Sequence, residues 1–229
     1  MNPDLDNAWA DEGLFPSIIT RAWDETPTLR VFELDVSDTA LADGYSTPGQ
    51  YVTMSIAGLP GAFFAMAAGP DTQGNLLFLL RLRGPLGERL RGVGVGDQVG
   101  ISAVDGPGFP VHKALGRDCL FFATGSGIAP IRALIEYVLA RREDFGALTL
   151  YYGERSAEDV SFRGDLKAWE DAGVRVKLAL SRASADEADG AFHGYVQESL
   201  SASPPPNPDS AVFLCGVDGM VKRVKQVLT

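Results

Sequence analysis

Residues 119–130 read CLFFATGSGIAP, from Cys119 to Pro130, and this stretch decides the fold. Residues 119–123 form an unbroken apolar run of strand length, the pattern of a strand buried on both faces. Thr124-Gly125-Ser126-Gly127 interrupts the run with a glycine-rich turn, and Ile128-Ala129-Pro130 opens a segment of helical periodicity that extends to Arg142. Glycine lets the backbone turn tightly and approach a ligand. Proline is tolerated in a first helical turn, where its missing N–H costs nothing. The free N–H groups and the dipole at such a helix start favour a phosphate. The stretch departs from the GxGxxG dinucleotide fingerprint in one respect, since Pro130 occupies the last place.

Downstream, strand-like and helix-like runs alternate. Strands are expected at 148–152, 174–180 and 211–215, and helices at 129–142, 162–172 and 220–228. That alternation predicts a right-handed parallel sheet. Ser203-Pro204-Pro205-Pro206-Asn207-Pro208 excludes helix and central strand and is read as a loop. Upstream the rhythm differs. Short β-like runs at 18–23, 29–36, 51–56, 63–67, 76–82 and 98–103 are separated by turn residues such as Pro48-Gly49, Gly69-Pro70 and Gly96-Asp97, with one short helix at 86–91. This is the pattern of a closed antiparallel barrel. The expected fold is therefore a two-domain β + α/β chain, an N-terminal antiparallel six-stranded β-barrel followed by a parallel α/β nucleotide-binding domain. The boundaries are a tail at 1–15, the barrel at 16–112 and the α/β domain at 113–229.

The 229 residues suit two domains of about 100–120 residues each. A formal net charge of −10 repels nucleic acid and anionic membranes. The two cysteines, Cys119 and Cys215, sit in apolar surroundings and offer no spacing for an iron–sulfur cluster. His112 and His193 are too isolated for a zinc site, so no metal is expected. No run approaches the ~20 apolar residues of a membrane span. The acidic opening MNPDLDNAWADEG lacks the apolar core of a signal peptide, and a cytoplasmic protein is expected.

Further motifs follow the Thr124–Pro130 turn in order. They are Tyr152-Gly153-Glu154-Arg155-Ser156-Ala157-Glu158-Asp159, Leu180-Ser181-Arg182, and Cys215-Gly216-Val217-Asp218-Gly219-Met220. The first half adds Pro48-Gly49-Gln50-Tyr51-Val52 and Gly96-Asp97-Gln98-Val99. Together these resemble the ferredoxin–NADP reductase family, through its T-G-x-G-I-A-P, G-x-R-x-x-x-D, L-S-R, C-G-x-x-x-M, P-G-Q-[FY]-[VL] and G-D-x-[VL] segments. Gly106-Pro107-Gly108-Phe109-Pro110-Val111 resembles the stretch leaving the barrel in small electron-transfer subunits related to dihydroorotate dehydrogenase and hydrogenase partners. The likeness covers nearly all of residues 16–229.

The resemblance implies an FAD-dependent enzyme that passes hydride from NADPH or NADH to flavin and electrons to a separate redox partner or small-molecule acceptor. It implies that Thr124, Gly125, Ser126, Gly127, Ile128, Ala129 and Pro130 hold the dinucleotide pyrophosphate. Gly153, Glu154, Arg155, Ser181, Arg182, Tyr195 and Gln197 would lie towards the adenosine, where arginine and hydroxyl donors suit a 2′-phosphate. Cys215, Gly216, Val217, Asp218, Gly219 and Met220 would meet the nicotinamide, with Cys215 positioning the ring. For the flavin, the resemblance implies Phe63, Phe64, Ala65 and Met66, with Arg81, Leu82, Arg83, Gly84, Leu86 and Gly87 near its phosphates. The family's flavin motif, R-x-[YF]-[ST], is here Ala62-Phe63-Phe64-Ala65. Its guanidinium and hydroxyl are missing, and Gly87 replaces the usual serine or threonine of the second phosphate contact. Arg81 and Arg83 alternate along a strand and share one face; they are candidates to supply the lost charge. The alternative reading is a flavin-poor NAD(P)H sensor or an electron-transfer subunit of the same fold.

Overall fold

The computed structural model describes residues 9, 13–37, 39, 41, 43–56, 59–71, 74–183, 190–205 and 207–228. The chain divides into two compact units. One comprises residues up to Phe109 with Arg132–Leu134, the other Pro110–Ile131 with the remainder from Ile135.

The first unit is a six-stranded antiparallel sheet of β1 (Phe15–Thr26), β2 (Leu29–Asp35), β3 (Tyr51–Ser55), β4 (Ala62–Ala65), β5 (Asn75–Arg81) and β6 (Gln98–Ile101), in the order β4-β3-β6-β1-β2-β5. The long β1 pairs with β6 over Phe15–Ile18 and with β2 over Ile18–Thr26, with register shifts after Ile19 and Asp24. Such irregularities bend a strand and let one chain turn a barrel corner. The edges β4 and β5 meet at a bridge between Met66 and Phe78, and the Ala67 N–H donates to the Leu77 carbonyl at 2.6 Å. That closes the barrel. Its interior is one cluster that includes Ile19, Phe32, Leu34, Val52, Met54, Met66, Phe78, Leu80, Val99 and Ile101. Helix α1 (Gly84–Arg91) follows β5 directly, with Pro85 in its first turn and Leu90 buried. Of the expected N-terminal tail, residues 1–8 and 10–12 lie outside the described residues. Trp9 and Leu14 are buried, and Trp9 lies so close to Gly100 of β6 that a Cβ there would stand 2.7 Å from its ring.

The second unit is a five-stranded parallel sheet of β7 (Cys119–Thr124), β8 (Leu148–Glu154), β9 (Val174–Leu180), β10 (Phe192–His193) and β11 (Ala211–Cys215), in the order β10-β9-β8-β7-β11. Helices α2 (Ile128–Leu139), α3 (Arg163–Asp171), α4 (Val196–Ala202) and α5 (Asp218–Leu228) accompany it. β7 and β8 are buried along almost their whole length, as a sheet covered on both faces requires. On one face Leu120, Phe122, Tyr151 and Ala179 pack with Val196 and Leu200 of α4 and with Met220 and Val224 of α5. Phe122 and Tyr151, opposite each other in register, stack at 4.7 Å.

Two elements differ from the sequence expectation. Residues 192–193 form a short strand beside β9, and Val196–Ala202 a seven-residue helix. Both are too short to display a period of their own. Tyr195 accordingly stands at a helix start. Among the described residues, no helix is long and apolar enough to cross a membrane, and no group of three or more His, Cys, Asp or Glu side chains is arranged to hold a metal ion.

Candidate functional site

In the second unit, successive strands from β7 to β10 extend one way and β11 lies on the other side of β7. Ligands of open parallel sheets bind outside the carboxyl ends of the strands at such a switch point. There β7 ends with Thr124 in extended conformation, Gly125 takes φ +57°, and a tight turn over Gly125–Gly127 runs straight into α2. No side chain caps the turn or the helix, and neither has an acidic residue in its first turn. Uncapped N–H groups at a helix start are donors in want of an acceptor.

The end of β11 fits tightly against this turn. A Cβ on Gly127 would stand 2.4 Å from the Cys215 carbonyl oxygen, and one on Gly216 would stand 2.1 Å from Thr124 Oγ1. Thr124 Oγ1 accepts the Val217 N–H at 3.1 Å. Glycine at both positions therefore lets two loops, distant in sequence, share one crevice. Ile128, Ala129, Pro130 and Met220 are buried, so they support the turn from beneath. Thr124, Gly125 and Ser126 are half-buried; Gly216, Val217, Asp218 and Gly219 are exposed. The latter residues are the ones that offer surface to a ligand. Cys215 is half-buried, and burial raises its thiol pKa. It is a neutral thiol at neutral pH, suited to packing and not to nucleophilic attack.

The carboxyl ends of β8 and β9 bring a second group together. The Ser181 N–H and Oγ both donate to the Glu154 carbonyl, at 3.0 and 3.3 Å, and the Arg182 N–H donates to the Arg155 carbonyl at 2.7 Å. Arg155 and Arg182, far apart in sequence, thus stand side by side with exposed side chains. Tyr195 is 58% exposed at the start of α4, where its N–H donates to Glu198 Oε2 at 2.8 Å. Gln197 is half-buried two residues on, and Gly153 lies beneath Val196, whose Cγ2 a Cβ would meet at 2.4 Å. The Glu198 cap was not among the sequence expectations; a glutamate three residues after a helix start was the available signal.

In the first unit, the register separates residues that the sequence had grouped. Phe64 pairs with Val52 and packs against the barrel core, whereas Phe63 pairs with Thr53 on the outer face and is 75% exposed. Met66 and Leu82 are buried in the barrel core, which leaves them only backbone atoms to offer a ligand. The start of α1 has no side-chain cap and no acidic residue in its first turn, and Gly84 has open space around it. Arg81 is half-buried and Arg83 exposed immediately before it, with Leu86 half-buried in the helix. Gly87 is held by sterics: a Cβ would lie 2.7 Å from the Leu82 carbonyl carbon. No hydroxyl side chain fits there without movement of the strand end.

A closed antiparallel barrel followed by a parallel sheet with an uncapped glycine turn at its switch point defines a class of two-domain nucleotide-dependent oxidoreductases. The oxidoreductase NAD-binding domain family matches residues 121–226. The chain is 31% identical over 201 residues to the probable dihydroorotate dehydrogenase B (NAD(+)), electron transfer subunit, of Methanocella arvoryzae, spanning 88% of this chain and 68% of that one. It is 26% identical over 215 residues to sulfhydrogenase 1 subunit gamma of Pyrococcus furiosus, spanning 92% and 73%. Two further curated relatives are matched over 53% and 63% of their own lengths. Among solved structures, a ferredoxin NADP+ reductase from Neisseria gonorrhoeae with bound FAD and NADP has the same fold, with a TM-score of 0.81 at 21% identity over 94% of this chain and 90% of that one. The chain belongs to the ferredoxin–NADP reductase-like family of FAD/NAD(P)-binding oxidoreductases.

Proposed function

We propose that this chain is an FAD-dependent NAD(P)H oxidoreductase that delivers electrons to a separate acceptor, a redox protein or a small molecule. The observation that carries the reading is the uncapped Gly125–Gly127 turn packed against Cys215–Gly216 at the switch point of the parallel sheet. Its N–H groups suit a pyrophosphate, and the exposed Gly216–Gly219 segment beside the half-buried Cys215 offers surface to the nicotinamide. The two exposed arginines at the ends of β8 and β9, Arg155 and Arg182, with Ser181, favour NADPH, because guanidinium and hydroxyl donors suit a 2′-phosphate. Tyr195 offers an exposed aromatic face to the adenine.

The barrel fits FAD with a displaced phosphate clamp. The donor set at the start of α1, uncapped N–H groups flanked by Arg81 and Arg83, takes the place of the guanidinium absent at Ala62. Phe64 supplies the aromatic side chain for the flavin, and Ala65 offers no hydroxyl near it. A bound flavin supplies the group that accepts hydride and releases electrons one at a time. The protein's own part is to bind, align and shield, and no acid–base pair is required. A cytoplasmic location belongs to the same reading and is supported by two unpaired thiols; cell fractionation tests it.

A second reading, a flavin-poor NAD(P)H-binding sensor or subunit, is favoured by one observation, the alanines at 62 and 65. An absorbance spectrum of the purified protein, repeated after added FAD and desalting, separates the two. Retained flavin bands that bleach with NADPH or NADH support the reductase. Protein that stays colourless and cannot reduce ferricyanide with either nucleotide refutes it.

A further inference from the structure

Tyr152 of β8 is fully buried, yet its hydroxyl is bonded on two sides. It accepts the Ser161 N–H at 3.1 Å and stands 3.0 Å from Glu154 Oε1. A phenol has a single proton, and Ser161 already fills the accepting role, so that proton goes to the Glu154 carboxylate. Burial, and next the Glu154 charge, hold the phenol well above its ordinary range, so it remains a donor. Glu154 is the last residue of β8, and its carbonyl accepts the Ser181 N–H and Oγ at 3.0 and 3.3 Å. Its main chain is therefore joined to the residues proposed for the adenosine end. Its side chain takes another course. Successive strand residues point to opposite faces. Tyr151 packs on the side of α4 and α5, and Gly153 lies against Val196 of α4. Tyr152 and Glu154 leave the other face, and the carboxylate is held there at the Tyr152 hydroxyl, away from α4 and Tyr195 at its start.

We infer that Tyr152 is a positioning residue for nucleotide choice: its hydroxyl holds the Glu154 carboxylate away from the 2′ position of the bound dinucleotide. The inference rests on the proposed adenosine end at Ser181 and Arg182. A carboxylate at a strand end in such a site accepts the ribose 2′-hydroxyl and marks an NADH site, because its charge repels a 2′-phosphate. Glu154 occupies such a strand end, with exposed arginines at 155 and 182. A carboxylate free to turn towards Ser181 would oppose the attraction of those arginines for phosphate. Bonded to a buried hydroxyl that is itself anchored by the Ser161 N–H, it stays on the other face, and the chain admits NADPH. Tyr152 is too deeply buried to touch the nucleotide and acts through Glu154.

Calorimetric titration of the full chain with each nucleotide gives the ratio of Kd values, NADPH over NADH. Tyr152→Phe removes only the hydroxyl and frees the carboxylate, and the ratio is expected to rise roughly fivefold or more as the charge turns against the 2′-phosphate. A role limited to packing would weaken both nucleotides alike and leave the ratio unmoved. Adding Glu154→Gln to Tyr152→Phe removes the charge and should return the ratio to within about twofold of the wild-type value. Tyr152→Phe also strips the Ser161 N–H of its acceptor, so urea unfolding establishes that the variant is folded. Glu154→Asp leaves Tyr152 in place, brings the carboxylate too short for the hydroxyl, and should raise the ratio in the same direction. An unchanged ratio in either folded single variant, or a raised ratio that persists in the double variant, overturns the inference. The wild-type ratio tests the NADPH reading separately. Tighter binding of NADH refutes that reading, while the change on substitution still decides the role of Tyr152; a wild-type chain that binds neither nucleotide overturns both.

Discussion

Gly127→Ala places a methyl group where the backbone leaves none. Its Cβ would stand 2.4 Å from the Cys215 carbonyl oxygen, 2.6 Å from the carbonyl carbon and 2.8 Å from Gly216 Cα. All three are backbone atoms, so no rotamer change relieves the clash; the end of β11 or the start of α2 must move by about 1 Å, an overpacking that costs ~1–3 kcal/mol. The movement opens the crevice formed by the Gly125–Gly127 turn and the Cys215–Gly216 turn. A pyrophosphate that loses one charge-assisted N–H contact there forfeits ~1.5–3 kcal/mol, a rise of roughly 10- to 150-fold in Kd. Gly164→Ala is the internal control. Gly164 lies in α3 with nothing within 4 Å of its added Cβ, so alanine should stabilise that helix by about 0.5–1 kcal/mol. Urea unfolding reads stability, and quenching of intrinsic fluorescence by NADPH reads affinity. A Gly127→Ala protein with wild-type stability would refute the steric reasoning. One that is destabilised yet binds NADPH unchanged would remove the pyrophosphate from this turn.

Arg182→Ala is expected to raise the Kd for NADPH about tenfold more than that for NADH, since only the former carries a 2′-phosphate; equal losses in a titration series would reject that role. Ala62→Arg restores a guanidinium beside the flavin phosphates and should tighten FAD by roughly tenfold or more, read by flavin fluorescence, and an unchanged affinity would locate the pyrophosphate elsewhere. Burial pushes the Cys119 thiol from 9.0 up to about 11. Above pH 9 the unfolded chain ionises this thiol and the folded chain does not, so its contribution to stability is complete below pH 9 and is lost as the pH climbs through 11. Urea midpoints across that window should fall less steeply in Cys119→Ala than in the wild-type chain, and parallel slopes would contradict the assignment.

The sequence by itself determined the kind of element nearly everywhere. The apolar run of β7, the glycines after it and Pro130 are local signals, and a buried parallel strand feeding an uncapped helix follows from them. The change of rhythm between the halves carried the barrel and the parallel sheet for the same reason, since periods of 2 and 3.6 are properties of neighbouring residues. Residues 196–202 escaped notice because seven residues span too few turns to register a period. What the tertiary structure alone decided is which side chains meet. Only the pairing of β11 with β7 brings Cys215 against Gly127, and only the ends of β8 and β9 set Arg155 beside Arg182. The consecutive Phe63 and Phe64 look interchangeable in sequence, yet strand register sends one into the barrel and the other to solvent. Asp105 meets Tyr51 across 54 residues. Such contacts are properties of chain closure and register, set by the summed burial of many side chains at once, and no local stretch of sequence encodes them.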